Sequence, residues 1–171
     1  MDERTAWVVM GVSACGKSEI GMRLAQALGA PFIEGDRFHP PENVAKMSAG
    51  IALDDEDRRG WLQALRAEIE RAWTTDAVVV LSCSALKRAY REVLRGAGGK
   101  GNDVRFVHLH GERDLIARRM AARSGHFMPL SLLDSQLRTL EPLQPDERGV
   151  TLDLGEPPGR LVEQALAFPF A

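Results

Sequence analysis

Short apolar runs recur along the chain at Ala6–Met10, Phe32–Ile33, Ala77–Ser82, Val104–Leu109 and Val150–Leu154, and each predicts a strand. Between them the apolar positions return at helical spacing. Ile20, Leu24, Ala27 and Leu28 form one stripe, and Gly29 supplies a left-handed stop behind it. Trp61, Leu62, Leu65, Ile69 and Trp73 predict a longer helix with Asp54 or Asp55 as its cap. Shorter stripes follow at Tyr90, Val93 and Leu94, at Leu115, Ile116 and Met120, at Leu133, Leu137 and Leu140, and at Leu161, Val162, Ala165 and Leu166. Strands alternating with helices imply a parallel sheet covered on both faces, the three-layer α/β/α class. Ligands of such sheets bind beyond the carboxyl ends of the strands. The glycine-rich run Gly96–Asn102 joins a helix to the fourth strand and is too short to separate domains, so residues 1–171 read as one domain without internal repeats.

Composition narrows the class. With 44% hydrophobic residues the chain can bury a core without disulfides. Its 22 basic and 24 acidic side chains leave no positive surplus, so no nucleic-acid partner is expected. No apolar run approaches the roughly 20 residues of a membrane span. The acidic start Met1-Asp2-Glu3 is unlike a signal peptide, and a cytoplasmic address is expected. The two cysteines, Cys15 and Cys83, lack metal-site spacing and are expected to be free thiols.

The candidate chemistry begins where the first strand ends. Gly11-Val12-Ser13-Ala14-Cys15-Gly16-Lys17-Ser18 matches the phosphate-cradling loop G-x-x-x-x-G-K-S/T between a strand and a helix. Loop amides and the positive end of the helix would face a triphosphate, Lys17 would reach the β- and γ-phosphates, and Ser18 would ligate Mg²⁺. ATP is the implied cofactor. The second strand ends in Glu34-Gly35-Asp36, two carboxylates on one face beside that loop. Asp36 is the candidate base or orienting group for an attacking hydroxyl, and Glu34 the outer-sphere metal ligand.

Two arginines in the charged run before the long helix add a recognition element; Arg58 offers a planar donor set to an anionic or polyhydroxylated substrate. The third strand ends in Ser82-Cys83-Ser84 and not in the metal-gripping aspartate of many phosphate-loop ATPases, which favours a small-molecule kinase. Arg119 and Arg123 share a helix face ahead of Gly125-His126-Phe127-Met128-Pro129, a candidate flap over the nucleotide. Of the remaining histidines, His108 alternates with Val104 and Phe106 and is expected to be a hydrogen-bonded core residue.

Strings distributed over nearly the whole chain resemble bacterial gluconokinases. They are Met10–Ser18, Gly35-Asp36-x-x-His39-Pro40, Asn43-x-x-Lys46-Met47, Gly50-Ile51-x-Leu53-x-Asp55-x-Asp57-Arg58-x-x-Trp61-Leu62, Cys83–Arg88-x-Tyr90-Arg91, Arg123-x-Gly125-His126-Phe127-Met128 and Ser135-Gln136-x-x-Thr139-Leu140-Glu141. The resemblance implies a shikimate-kinase-like P-loop fold with sheet order 2-3-1-4-5, a substrate-binding insertion at about 37–60, a lid at about 119–135, and a homodimer. It implies ATP- and Mg²⁺-dependent phosphorylation of D-gluconate at its terminal hydroxyl, feeding the pentose phosphate and Entner-Doudoroff routes. Carried over by position, Asp36, His39, Lys46, Arg58, Lys87 and His126 would contact gluconate, and Arg119 and Arg123 the nucleotide.

Three positions depart from the family pattern. Ala14 stands where glycine is usual, so its methyl must either take an ordinary backbone angle or crowd the phosphates; Glu34 replaces an aspartate, and Glu19 a small residue. Two other readings stay open: a kinase of another small hydroxylated acid such as shikimate, and a nucleotide-binding sensor without turnover. Cys15, at a helix N-terminus, is a candidate for oxidative blockade of ATP binding.

Overall fold

The computed structural model describes residues 3–96, 102–122 and 129–170. These form five strands, β1 (Arg4–Met10), β2 (Phe32–Glu34), β3 (Val78–Ser82), β4 (Asn102–His110) and β5 (Gly149–Asp153), in one parallel sheet of order β2-β3-β1-β4-β5. The seven described helices are α1 (Lys17–Leu28), α2 (Pro41–Ser48), α3 (Asp55–Ala72), α4 (Arg88–Arg95), α5 (Arg113–Ala122), α6 (Leu130–Thr139) and α7 (Pro158–Ala167). No described helix is long and apolar enough to cross a membrane.

The centre of the sheet explains its legibility. β1 is flanked by β3 and β4, with Trp7 opposite Val80 and Val8 opposite Phe106, and Ala6 through Met10 are all buried. A strand covered on both faces needs a continuous apolar run. α3 starts where expected: Asp54 Oδ1 accepts from the Asp57 amide at 2.8 Å, and Asp57 Oδ2 accepts from the Asp54 amide at 3.0 Å. Aspartate here replaces the usual glutamate of a capping box.

Periodicity does not predict α2. Among its eight residues only Asn43 is buried, so it has no apolar stripe to detect. The Gly96–Asn102 connection is described only at its two ends, because residues 97–101 lie outside the described residues.

Two charged features sit inside the core. Arg91 and Glu147, whose side chains are completely buried, form a bidentate pair at 2.7 and 3.0 Å. Arg91 also donates to the Ala85 carbonyl at 2.9 Å, tying α4 to the loop after β3. His108 is in the core as expected, at 2% exposure, but its Nδ1 has no hydrogen-bond partner among the described residues. Strand alternation placed the ring correctly and carried no information about partners. Burial, with smaller contributions from His110, Arg91 and Lys17, pushes its pKa down to about 4, so the ring is neutral at pH 7.

Candidate active site

The phosphate loop continues directly from the paired end of β1. Gly11 has φ +146°, and a Cβ there would meet Cys15 Sγ at 2.7 Å and the Leu109 carbonyl at 2.9 Å, so the turn excludes any side chain. Its amide donates to the Ser84 carbonyl at 3.2 Å, locking the loop to the segment after β3. Ala14 takes φ 62°, a left-handed and not an ordinary backbone angle. A left-handed alanine costs about 1–2 kcal/mol, and the loop holds it there. Lys17 Nζ donates to the Val12 carbonyl at 2.9 Å, and the Ser13 amide donates to Gln136 Oε1 of α6 at 2.7 Å. An acceptor oxygen therefore already sits on one of the loop's amides. Ser18 is the second residue of α1, and its hydroxyl makes no protein hydrogen bond among the described residues.

β2 delivers the second component. Gly35 packs so tightly on β3 that a Cβ would lie 2.0 Å from the Ser82 carbonyl. The Ser82 hydroxyl accepts from the Gly35 amide at 3.2 Å and donates to Glu34 Oε1 at 2.7 Å. These contacts pin the strand end, and a 3₁₀ turn over Gly35–Phe38 then presents Asp36. Asp36 lines a cleft of about 260 Å³ together with Ser13 and Lys17 of the loop, His39, Arg58, and Gln136 of α6.

His39 stacks on Trp61, with ring centroids 4.0 Å apart and planes 17° apart, and Trp61 Nε1 donates to the Gly35 carbonyl at 2.8 Å. Burial lowers the His39 pKa below its usual 6.5; Asp36 opposes this and Arg58 reinforces it. Arg58, 8% exposed, donates from Nη1 to the Tyr90 hydroxyl at 3.0 Å. That hydroxyl makes a short hydrogen bond to Asp55 Oδ1, which also accepts from Lys87 Nζ at 2.9 Å.

The structure thus brings Lys17, Asp36, His39 and Arg58 to one cleft. Lys46 and Lys87 do not line it: they sit in ion pairs with Asp57 and Asp55, both at 2.9 Å, at the start of α3. Glu34 is held by Ser82 and is not among the residues lining the cleft. Arg119 on α5 donates to the Leu154 carbonyl after β5 at 2.9 Å and is not among the residues lining this cleft. Arg123 and His126 lie outside the described residues. Cys15 is 1% exposed, and burial pushes the Cys83 thiol up to about 12, so neither offers an exposed thiolate for the oxidative blockade. Sequence reasoning does not single out Asn43, Tyr90 and Gln136 as site residues, although each falls inside a string that carries the family resemblance.

The shikimate kinase family model matches residues 13–147. A probable gluconokinase of Xenopus tropicalis is 44% identical over 159 residues, covering 86% of this chain and 84% of that one. The thermosensitive gluconokinase of Escherichia coli K12 is 41% identical over 161 residues, covering 93% and 84%. Among solved structures, a gluconokinase from Sinorhizobium meliloti 1021 superposes with a TM-score of 0.86 at 48% identity, covering 98% of this chain and 92% of that one. A shikimate kinase from Bacteroides thetaiotaomicron shares the fold at 17% identity, with a TM-score of 0.64.

Proposed function

This chain belongs to the gluconokinase family of shikimate-kinase-like phosphotransferases, and from that premise we propose that its cleft transfers the γ-phosphoryl group of ATP to the terminal hydroxyl of D-gluconate, yielding 6-phospho-D-gluconate. In this reading the amides from Val12 to Ser18 and the Lys17 ammonium hold the triphosphate. Ser18 through its hydroxyl and Glu34, whose carboxylate is oriented by the Ser82 hydroxyl, would hold Mg²⁺, the latter as an outer-sphere ligand. When bound, the ion neutralises charge on the transferring phosphoryl oxygens.

The Asp36 carboxylate orients the acceptor hydroxyl and takes its proton. Arg58 and His39 hold the polyol and its carboxylate, and Lys46 and Lys87, which would have to leave Asp57 and Asp55, are assigned to gluconate as well. Arg119, with Arg123, is assigned to the nucleotide. The reading includes a homodimer in the cytoplasm, testable by sedimentation and fractionation.

The observation that carries it is the convergence of Lys17, from the loop after β1, and Asp36, from the end of β2, on one cleft. Coupled ADP release across gluconate, shikimate and related sugar acids tests it. Gluconate is expected to be preferred. Asp36→Asn is expected to lose about 10²–10⁴-fold in turnover while calorimetry still detects ATP binding. Preference for shikimate, or full turnover by Asp36→Asn, refutes the assignment.

A further inference from the structure

The orientation of the Asn43 carboxamide follows from its partners. Asn43 is 3% exposed on α2, and its Nδ2 lies 2.8 Å from the main-chain carbonyl of Asp57. That oxygen only accepts, so the atom facing it is the NH₂ nitrogen and not Oδ1. The same nitrogen is 3.2 Å from His39 Nδ1. An amide nitrogen has no lone pair to offer, so Nδ1 is the acceptor and carries no proton. A neutral ring in this position holds its hydrogen on Nε2. Nε2 has no protein partner among the described residues, and the ring lines the cleft.

We propose that Asn43 is a positioning residue that locks His39 as the Nε2–H tautomer, making His39 a neutral hydrogen-bond donor to an oxygen of the acceptor sugar acid. This rests on the cleft being the gluconate site and specifies how that site reads its substrate. Asp36 accepts and His39 donates, so neighbouring oxygens of the polyol are distinguished by their hydrogen-bonding sense. Stacking on Trp61 fixes the ring plane, and Asn43 fixes which edge carries the hydrogen. The charged groups around the ring are Asp36 on the 3₁₀ turn, Arg58 on α3, Lys17 across the cleft, and the Lys46–Asp57 pair beside Asn43. Burial and Arg58 keep the imidazole neutral against the pull of Asp36. The opposite tautomer would point Nδ1–H at the NH₂ of Asn43, hydrogen against hydrogen, and would leave Nε2 unable to donate.

Long-range ¹H–¹⁵N spectra of the wild-type protein, with the His39 signals assigned by their loss in His39→Gln, read the tautomer directly. A pyridine-type Nδ1 and a pyrrole-type Nε2 are expected at pH 8. A pyrrole-type Nδ1 overturns the proposal, and this measurement needs no folded Asn43 variant. Kinetically, Asn43→Asp places a carboxylate at Nδ1, draws the proton there and raises the ring's pKa. The gluconate KM of this variant is expected to rise about tenfold at pH 8, with the ATP KM within twofold. It should recover as the pH falls, because the imidazolium regains Nε2–H, while the wild-type gluconate KM stays flat. An unchanged gluconate KM at pH 8 in folded Asn43→Asp also overturns it. Failure of the wild type to release ADP with gluconate would strike the kinase reading instead, leaving the ring spectra to judge the tautomer.

Discussion

Replacing Tyr90 by Phe removes a single oxygen from the support of Arg58. Tyr90 is 4% exposed on α4, and its ring lies 5.4 Å below the Arg58 guanidinium, a contact that Phe retains. What disappears is the hydroxyl that accepts from Arg58 Nη1 at 3.0 Å and donates to Asp55. Burial, followed by the bond to Asp55, raises the Tyr90 pKa above 10, so in the wild type this hydroxyl keeps its proton at neutral pH. A hydrogen bond to a charged group contributes about 1.5–3 kcal/mol. Because Arg58 borders the cleft, water recovers part of this, leaving about 1–2 kcal/mol. If Arg58 holds the substrate, that loss raises the gluconate KM about 5–30-fold, since 1.4 kcal/mol is a factor of ten. A Tm decrease of about 2–8 °C accompanies it. Initial rates of coupled ADP release, varied separately in gluconate and ATP, are the assay. A folded Tyr90→Phe enzyme whose gluconate KM and kcat both stay within twofold of wild type refutes the positioning argument, whatever happens to Tm.

The other predictions concern stability. Glu147→Gln leaves the buried Arg91 charge uncompensated and is expected to cost about 3–5 kcal/mol in urea unfolding; an unchanged midpoint rejects the pair as a structural element. His108 contributes an acid liability. Its folded pKa of about 4 lies below the unfolded value near 6.5, so the unfolded chain binds a proton that the folded chain refuses. Stability is therefore full above pH 6.5 and falls by roughly 3 kcal/mol as the pH drops toward 4. His108→Gln should flatten that slope between pH 6.5 and 4.5, and an identical slope in both proteins rejects the assignment.

What could be read in the sequence follows from the range over which each feature is encoded. β1 shows itself because Ala6 to Met10 are buried on both sides, whereas its first residues, Arg4 and Thr5, are polar and become strand by pairing, Arg4 with Asn102 and Thr5 with Asp103 and Val78. The phosphate loop is legible because its spacing is local, and Asp36 because a strand end is a place in any parallel sheet. α2 lacked a stripe. The supports of the site were hidden for a different reason: Arg58 meets Tyr90 across 32 residues and Ser13 meets Gln136 across 123, and no periodicity encodes such meetings. The resemblance assigns Lys46 and Lys87 to gluconate but carries no information about their protein partners; the fold seats each against an aspartate of the first turn of α3.

β2 lies at the border of the sheet and pairs only with β3, and the segment from Gly35 to Trp61 hangs from it. The triphosphate cradle hangs instead from the middle strand. Diversification can therefore rewrite this outlying cassette without disturbing the register that holds Lys17, and a mutational library confined to positions 40–53 explores the choice of alcohol while the engine of transfer is inherited intact.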